Sequence, residues 1–195
     1  MDYQPRLEID SRAEWRDWLV DNHASSGGVW LVTWKPKSGR PTFTYEEQVE
    51  EALCFGWVDG QRGPSNPDRI FQWFAPRRPK STWARSNKER AARLEAVGLM
   101  TPAGLAAIER AKANGSWTAL DDIDNLVMPP DLDAALLARP GARDAWESYS
   151  ASSRRMALAW VTQVKSPELR ARRVERVADG VARGGKMLEV LGVRG

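Results

Sequence analysis

The hydrophobic pattern changes period partway along the chain. Val29-Trp30-Leu31-Val32-Thr33-Trp34 is short, β-branched and aromatic, and a period of two puts Trp30, Val32 and Trp34 on one face, which predicts a strand. Lys35 to Pro41 then reads as a loop. Thr44-Tyr45-Glu46-Glu47 has the form of a capping box, with Val49, Ala52, Leu53 and Gly56 following at helical spacing, so a helix is predicted over about 45–54. Phe55 to Gln61 and Arg69 to Phe74 predict two more strands, joined by the turn formers of Arg62 to Asp68. These make a small antiparallel sheet of about three strands.

From residue 81 the helical period takes over. Trp83, Asn87, Arg90, Ala91, Leu94 and Val97 fall on one stripe, with Gly98 placed to end the helix. Thr101-Pro102 is an N-cap followed by proline at N1, and its helix runs to about Asn114 before Gly115. Residues 118–130 are acidic and end in Pro129-Pro130, the best boundary in the chain. Helices over about 131–138, 142–149, 153–165 and 167–183 follow. The expected class is α+β, with an α+β domain over 1–118 and a helical module over 119–195.

At 195 residues, with ten tryptophans and 42% hydrophobic residues, the chain is expected to fold despite its low mean hydropathy. Its first residues, MDYQPRLEID, lack the apolar segment of a signal peptide. The apolar runs are shorter than the ~18 residues of a membrane span, so a soluble cytoplasmic protein is expected. The net charge of +3 is segregated: nine basic residues face three acidic ones over 61–100, and ten face four over 151–195. Such blocks point to local anion-facing surfaces.

The lone cysteine excludes an internal disulfide, and with one histidine no metal site and no cofactor are expected. Cys54 would end the predicted helix beside Glu50 and Glu51, at the negative pole of its dipole. All of these disfavour a thiolate, so Cys54 reads as packing. His23, in a polar run, reads as an exposed loop residue, and Glu46, Glu47, Glu50 and Glu51 as a solvated helix face. No GxSxG, HExxH, GxGxxG or Walker sequence is present.

The densest chemistry lies between Trp57 and Arg90. Arg62, Arg77, Arg78 and Lys80 supply cations, and the main chain after Ser81 is read as the start of a helix, where free N–H groups favour an anion. Trp57 and Trp83 could wall a pocket, with Asp59, Gln61 and Asn87 orienting a ligand; Asp59 is the acid/base candidate should there be catalysis. The same tryptophans are equally readable as core and the arginines as solvated.

Glu51-Ala52-Leu53-Cys54-Phe55-Gly56-Trp57-Val58-Asp59-Gly60-Gln61-Arg62, Phe74 to Trp83, Asn87 and Gly98 to Gly104 resemble the bacterial YdeI/OmpD-associated, or bacteriocin-protection, proteins. So does the later part, through Pro130-Asp131-Leu132, Pro140, Ala145-Trp146, Ser150, Ser153-Arg154, Trp160, Lys165, Pro167-Glu168, Arg170 and Arg173. Ala84-Arg85 and Leu169 depart from the pattern of that family. The resemblance implies a link to bacteriocin or antimicrobial-peptide protection and brings no catalytic residues with it. The expectation is a small anionic or aromatic ligand held in an Arg/Trp pocket. The alternatives are a nucleic-acid binder using both basic blocks and a stress-response adaptor for a protein partner.

Overall fold

The computed structural model describes residues 5–64 and 66–192, with four strands and ten helices among them. The chain divides into two compact units, the first ending at Ala119 and the second beginning at Leu120.

In the first unit the strands are β1 (Arg6–Glu8), β2 (Val29–Trp34), β3 (Trp57–Arg62) and β4 (Arg69–Pro76), in the order β1-β2-β4-β3. The β2/β4 and β3/β4 pairs are antiparallel, as the sequence suggests, and β1 adds a fourth strand parallel to β2. Three residues are too few to show a period, so β1 is defined only by its partner. Val29, Leu31 and Phe74 point to one face, where α1 (Arg12–Asn22) and α2 (Tyr45–Cys54) pack on them. Trp15 of α1 is fully buried there, 5.4 Å from the Phe74 ring and 6.4 Å from that of Trp57. The opposite face carries Trp30, Val32 and Trp34, opposite Trp73, Phe71 and Arg69 of β4. Val32 is buried, but it lies outside the helix-covered core.

The capping box of α2 is present: the Thr44 hydroxyl accepts from Glu47 N–H, and the Glu47 carboxylate accepts from Thr44 N–H at 2.7 Å. The glutamates of α2 are only in part the solvated face expected, since Glu46 is exposed but Glu51 is buried. Glu51 is 3% exposed and accepts from Arg12 and Arg16 of α1, both at 2.6 Å. Glu46 takes Arg90, and Glu50 takes Arg12 and Arg93, from α1 and from α3 (Arg85–Ala96). The periodicity of α2 cannot show that arginines far away in sequence will cover its polar side. His23 likewise is no exposed loop residue: it caps α1, half-buried against Phe55 at 5.2 Å, with Nδ1 2.8 Å from Leu19 O.

Cys54 ends α2 fully buried, and its carbonyl accepts from the hydroxyl of Thr101 (2.6 Å) and from its N–H (3.1 Å). Thr101 caps α4 (Pro102–Ala113), which thereby docks on the end of α2. The second unit runs through α5 (Asp121–Asp124), α6 (Pro130–Leu137), α7 (Ala142–Ser148), α8 (Ala151–Thr162), α9 (Pro167–Ala182) and α10 (Met187–Leu191). Val174, Val177, Ala178 and Val181 of α9 are buried among Leu132, Leu136, Trp146 and Leu158, whereas Ala171, expected on the same stripe, is exposed. No helix among the described residues is long and apolar enough to cross a membrane.

Three outcomes are expected. A Cβ on Gly104 would sit 2.2 Å from Cys54 O, so Gly104→Ala should destabilise by about 2–3 kcal/mol in urea, although helix propensity alone favours alanine by ~1 kcal/mol. Burial, and then Glu51, push the Cys54 thiol up to about 11 from 9.0, against a smaller pull from Arg16. It should resist iodoacetamide at pH 8 in the native protein and react after unfolding, and its contribution to stability should be complete below pH ~9 and fade as pH rises toward ~11. In α9, Val177→Asp should cost about 3 kcal/mol or more by denaturation, whereas exposed Arg172→Ala should change stability by under about 0.5 kcal/mol.

Candidate functional site

Strand β4 ends at Pro76, and the N–H of Arg77 donates to Gly56 O at 3.0 Å, tying the segment that follows to the end of α2. The Arg77 side chain turns inward, only 7% exposed, with its guanidinium carbon 4.2 Å from the centre of the Trp83 ring. Its Nη1 donates to Ser81 Oγ (3.2 Å) and Thr82 O (3.0 Å), so the loop wraps its own arginine. Burial lowers the pKa of Arg77 to about 10, against the opposing pull of Asp59, and leaves it protonated at neutral pH.

Arg77 has no carboxylate within ion-pair distance among the described residues, and its buried Nε has no hydrogen-bond partner. Trp83 Nε1 and Ser116 Oγ share that condition, while the backbone N–H of Trp83 donates to the Ser116 carbonyl at 3.3 Å. Buried polar groups are nearly always paired, so the free Nε of this buried cation marks a place suited to an acceptor-bearing partner.

Asp59 of β3 accepts from Tyr45 Oη at 2.6 Å. Burial and then that hydrogen bond push the Tyr45 hydroxyl up to about 12. Arg62 lies 5.8 Å from the Tyr45 ring, and Arg90 donates to Glu46 at 2.7 and 2.6 Å and to Asn87 Oδ1 at 2.9 Å. This is a paired network around the start of α2, in which Asp59 and Asn87 already have partners.

The ten residues singled out by sequence therefore separate. Arg77, Ser81 and Trp83 come together, with Asp59 coupled to Arg77 electrostatically. Trp57 is core, 1% exposed, its Nε1 donating to His23 O. Trp83, also 1% exposed, packs on Trp117 and offers only one face to Arg77. Gln61, Arg78 and Lys80 are exposed. Arg62 instead borders a cavity of about 260 Å³ with Lys35, Asn66, Arg69 and Phe71. The helix expected just after Ser81 starts later, at Arg85, with no side-chain cap on Ala84. The chain from Arg78 to Ala84 is occupied in enclosing Arg77, so Ser81 serves as acceptor for that arginine.

Sequence reasoning missed Tyr45, Ser116 and the aromatic set Trp30, Trp34, Phe71 and Trp73. The alternation of Trp30 with Trp34 and of Phe71 with Trp73 was a signal for the last group, once the two strands are paired. Nothing local marks Ser116. No three His, Cys, Asp or Glu side chains gather in a metal-binding arrangement among the described residues.

Two family models match the chain. Residues 125–184 match the family described as Bacteriocin-protection, YdeI or OmpD-Associated (OmdA), which covers most of the second unit. Neither the curated proteins nor the solved structures yield a match. Residues 7–107, about half of the chain, match the domain of unknown function DUF8412, and the protein is therefore a member of the DUF8412 family that also carries an OmdA-type C-terminal region.

Proposed function

We propose that the protein is a cytoplasmic binder of a small anionic ligand, bearing a carboxylate or phosphate, with Arg77 as the anchor. One observation carries the reading: a guanidinium more than nine-tenths buried, with no carboxylate beside it and a free Nε. Leaving a buried cation uncompensated costs several kcal/mol, whereas a charge-assisted pair with an acceptor offsets that cost. The Ser81 and Thr82 contacts and the Trp83 face hold Arg77 in place beforehand, which reduces the ordering cost of binding. The exposed Arg78 and Lys80 would steer an anion toward the loop.

Of the ten residues, this reading keeps Arg77, Ser81 and Trp83 in contact with the ligand and Asp59 as a nearby charge that opposes overfilling with negative groups. A lone cysteine, unable to form an internal disulfide, fits a reducing compartment. The family matched by residues 125–184 is named for bacteriocin protection, and that is the setting in which we place the ligand.

A thermal-shift and calorimetric screen of inorganic phosphate, sugar phosphates, nucleotides and aromatic carboxylic acids tests the proposal. At a hundredfold excess over Kd, the ligand should stabilise the native protein by about 2.7 kcal/mol. Arg77→Met should abolish that shift while leaving basal stability within about 1 kcal/mol, because removing an unpaired buried charge offsets the lost hydrogen bonds. Identical responses in the two proteins would remove Arg77 from the site.

A further inference from the structure

The sheet face turned away from the helices carries a second, separate constellation. From β2 and β4 it presents Trp30, Trp34, Phe71 and Trp73, each partly exposed. The Trp73 indole lies across the sheet. A Cβ on Gly60 of β3 would meet its Cδ1 at 2.8 Å, and one on Gly28, just before β2, would meet its Cζ2 at 2.3 Å. Two glycines on either side of β4 thus leave room for the ring, which remains partly exposed. Trp30 braces it edge-on, with ring centres 5.4 Å apart at 63°.

Cations interleave with these rings. Arg69 lies 3.4 Å and Arg40 4.8 Å from the centre of the Trp34 ring, and Arg6 lies 5.8 Å from that of Phe71. At the end of the sheet, Lys35, Arg62 and Arg69 border the cavity of about 260 Å³, whose wall is Phe71. Arg62 turns to the Tyr45 ring on the helix side; against the other four cations stand the carboxylates of Glu8, which is paired with Arg69 at 3.0 Å, and of Asp68 in the adjoining turn. The charge on this face therefore complements a polyanion, and the flat rings complement planar groups.

We propose that this sheet face binds single-stranded nucleic acid, with bases stacked on Trp73 while Arg6, Arg40 and the cavity bordered by Lys35 and Arg69 hold phosphates. A simple polyanion would use the cations and leave the rings idle; a duplex hides its base faces in its own stack. Only unpaired bases match both features, since each base offers a π-face and every linkage a phosphate. Four strands give room for two or three stacked bases. The face is distinct from Arg77, so the two proposals stand or fall separately.

Fluorescence anisotropy of labelled oligo(dT) and oligo(rU) 20-mers with the full-length protein tests it. Saturable binding with quenched tryptophan emission is expected, weaker for a duplex of equal length, and log K should fall with log salt at a slope of roughly −2 to −3, for three or four neutralised phosphates. The double charge reversal Arg6→Glu with Arg40→Glu, both exposed, should weaken binding at least tenfold, and Trp73→Leu should remove most of the quenching. Arg77→Met should leave affinity unchanged. Absence of binding at low salt, equal affinity for the duplex, or full affinity in the folded double-reversal variant would each overturn the proposal.

Discussion

The first unit depends on how α2 is held. This helix places four glutamates in ten residues and is nonetheless largely enclosed, because arginines of α1 and α3 close over its polar side. The exposed members of that network, such as Arg93 with Glu46, contribute on the order of 0.5 kcal/mol each. Glu51 differs: at 3% exposure its carboxylate would be untenable without both Arg12 and Arg16, so burial of Glu51 obliges α1 to lie where it does. Once α1 is placed, Trp15 fills the space above Phe74 and Trp57, and the sheet acquires its covered face.

The end of α2 transmits the same constraint to the candidate site. Phe55 and Gly56 turn the chain straight from helix to β3, with Gly56 at φ 73°, a conformation that glycine adopts without strain. This abrupt reversal returns Asp59 to the hydroxyl of Tyr45 at the start of the helix. The Gly56 carbonyl also receives Arg77 N–H, so the loop that encloses Arg77 is registered on the same corner. Arg77 then stands out by contrast. The arginines around α2 are matched to carboxylates at 2.6–3.4 Å, whereas the most deeply buried of the described arginines has none.

The sheet separates two kinds of chemistry. On β1, β2 and β4 its covered face is apolar apart from Thr33 and Gln72, the second of these satisfied by Gly60 O at 2.8 Å, and on β3 Asp59 meets the hydroxyl of Tyr45. Its other face is built from large rings, of which Trp34 and Phe71 have guanidinium groups over them. Tryptophans that hydrophobicity alone would assign to one core thus divide between two environments. Trp15, Trp57 and Trp83 are buried, and Trp30, Trp34 and Trp73 are not.

The elements themselves were legible. Alternation in Val29–Trp34, the capping box at Thr44, the Thr101-Pro102 start of α4 and the Ser166-Pro167 start of α9 are local signals, and the backbone follows them. The acidic neighbour of Cys54 was legible too, since Glu51 lies on the same helix, but the burial that does most to push its thiol up was not. What the chain alone could not decide is which polar groups would be buried. Glu51 and Arg77 are ordinary charged residues in sequence, and each is enclosed only because segments tens of residues away, or a loop folded back on itself, exclude water from it. Burial is a property of the packed whole: local period assigns a residue to a face, and tertiary contact alone determines whether that face meets solvent, a partner or nothing at all.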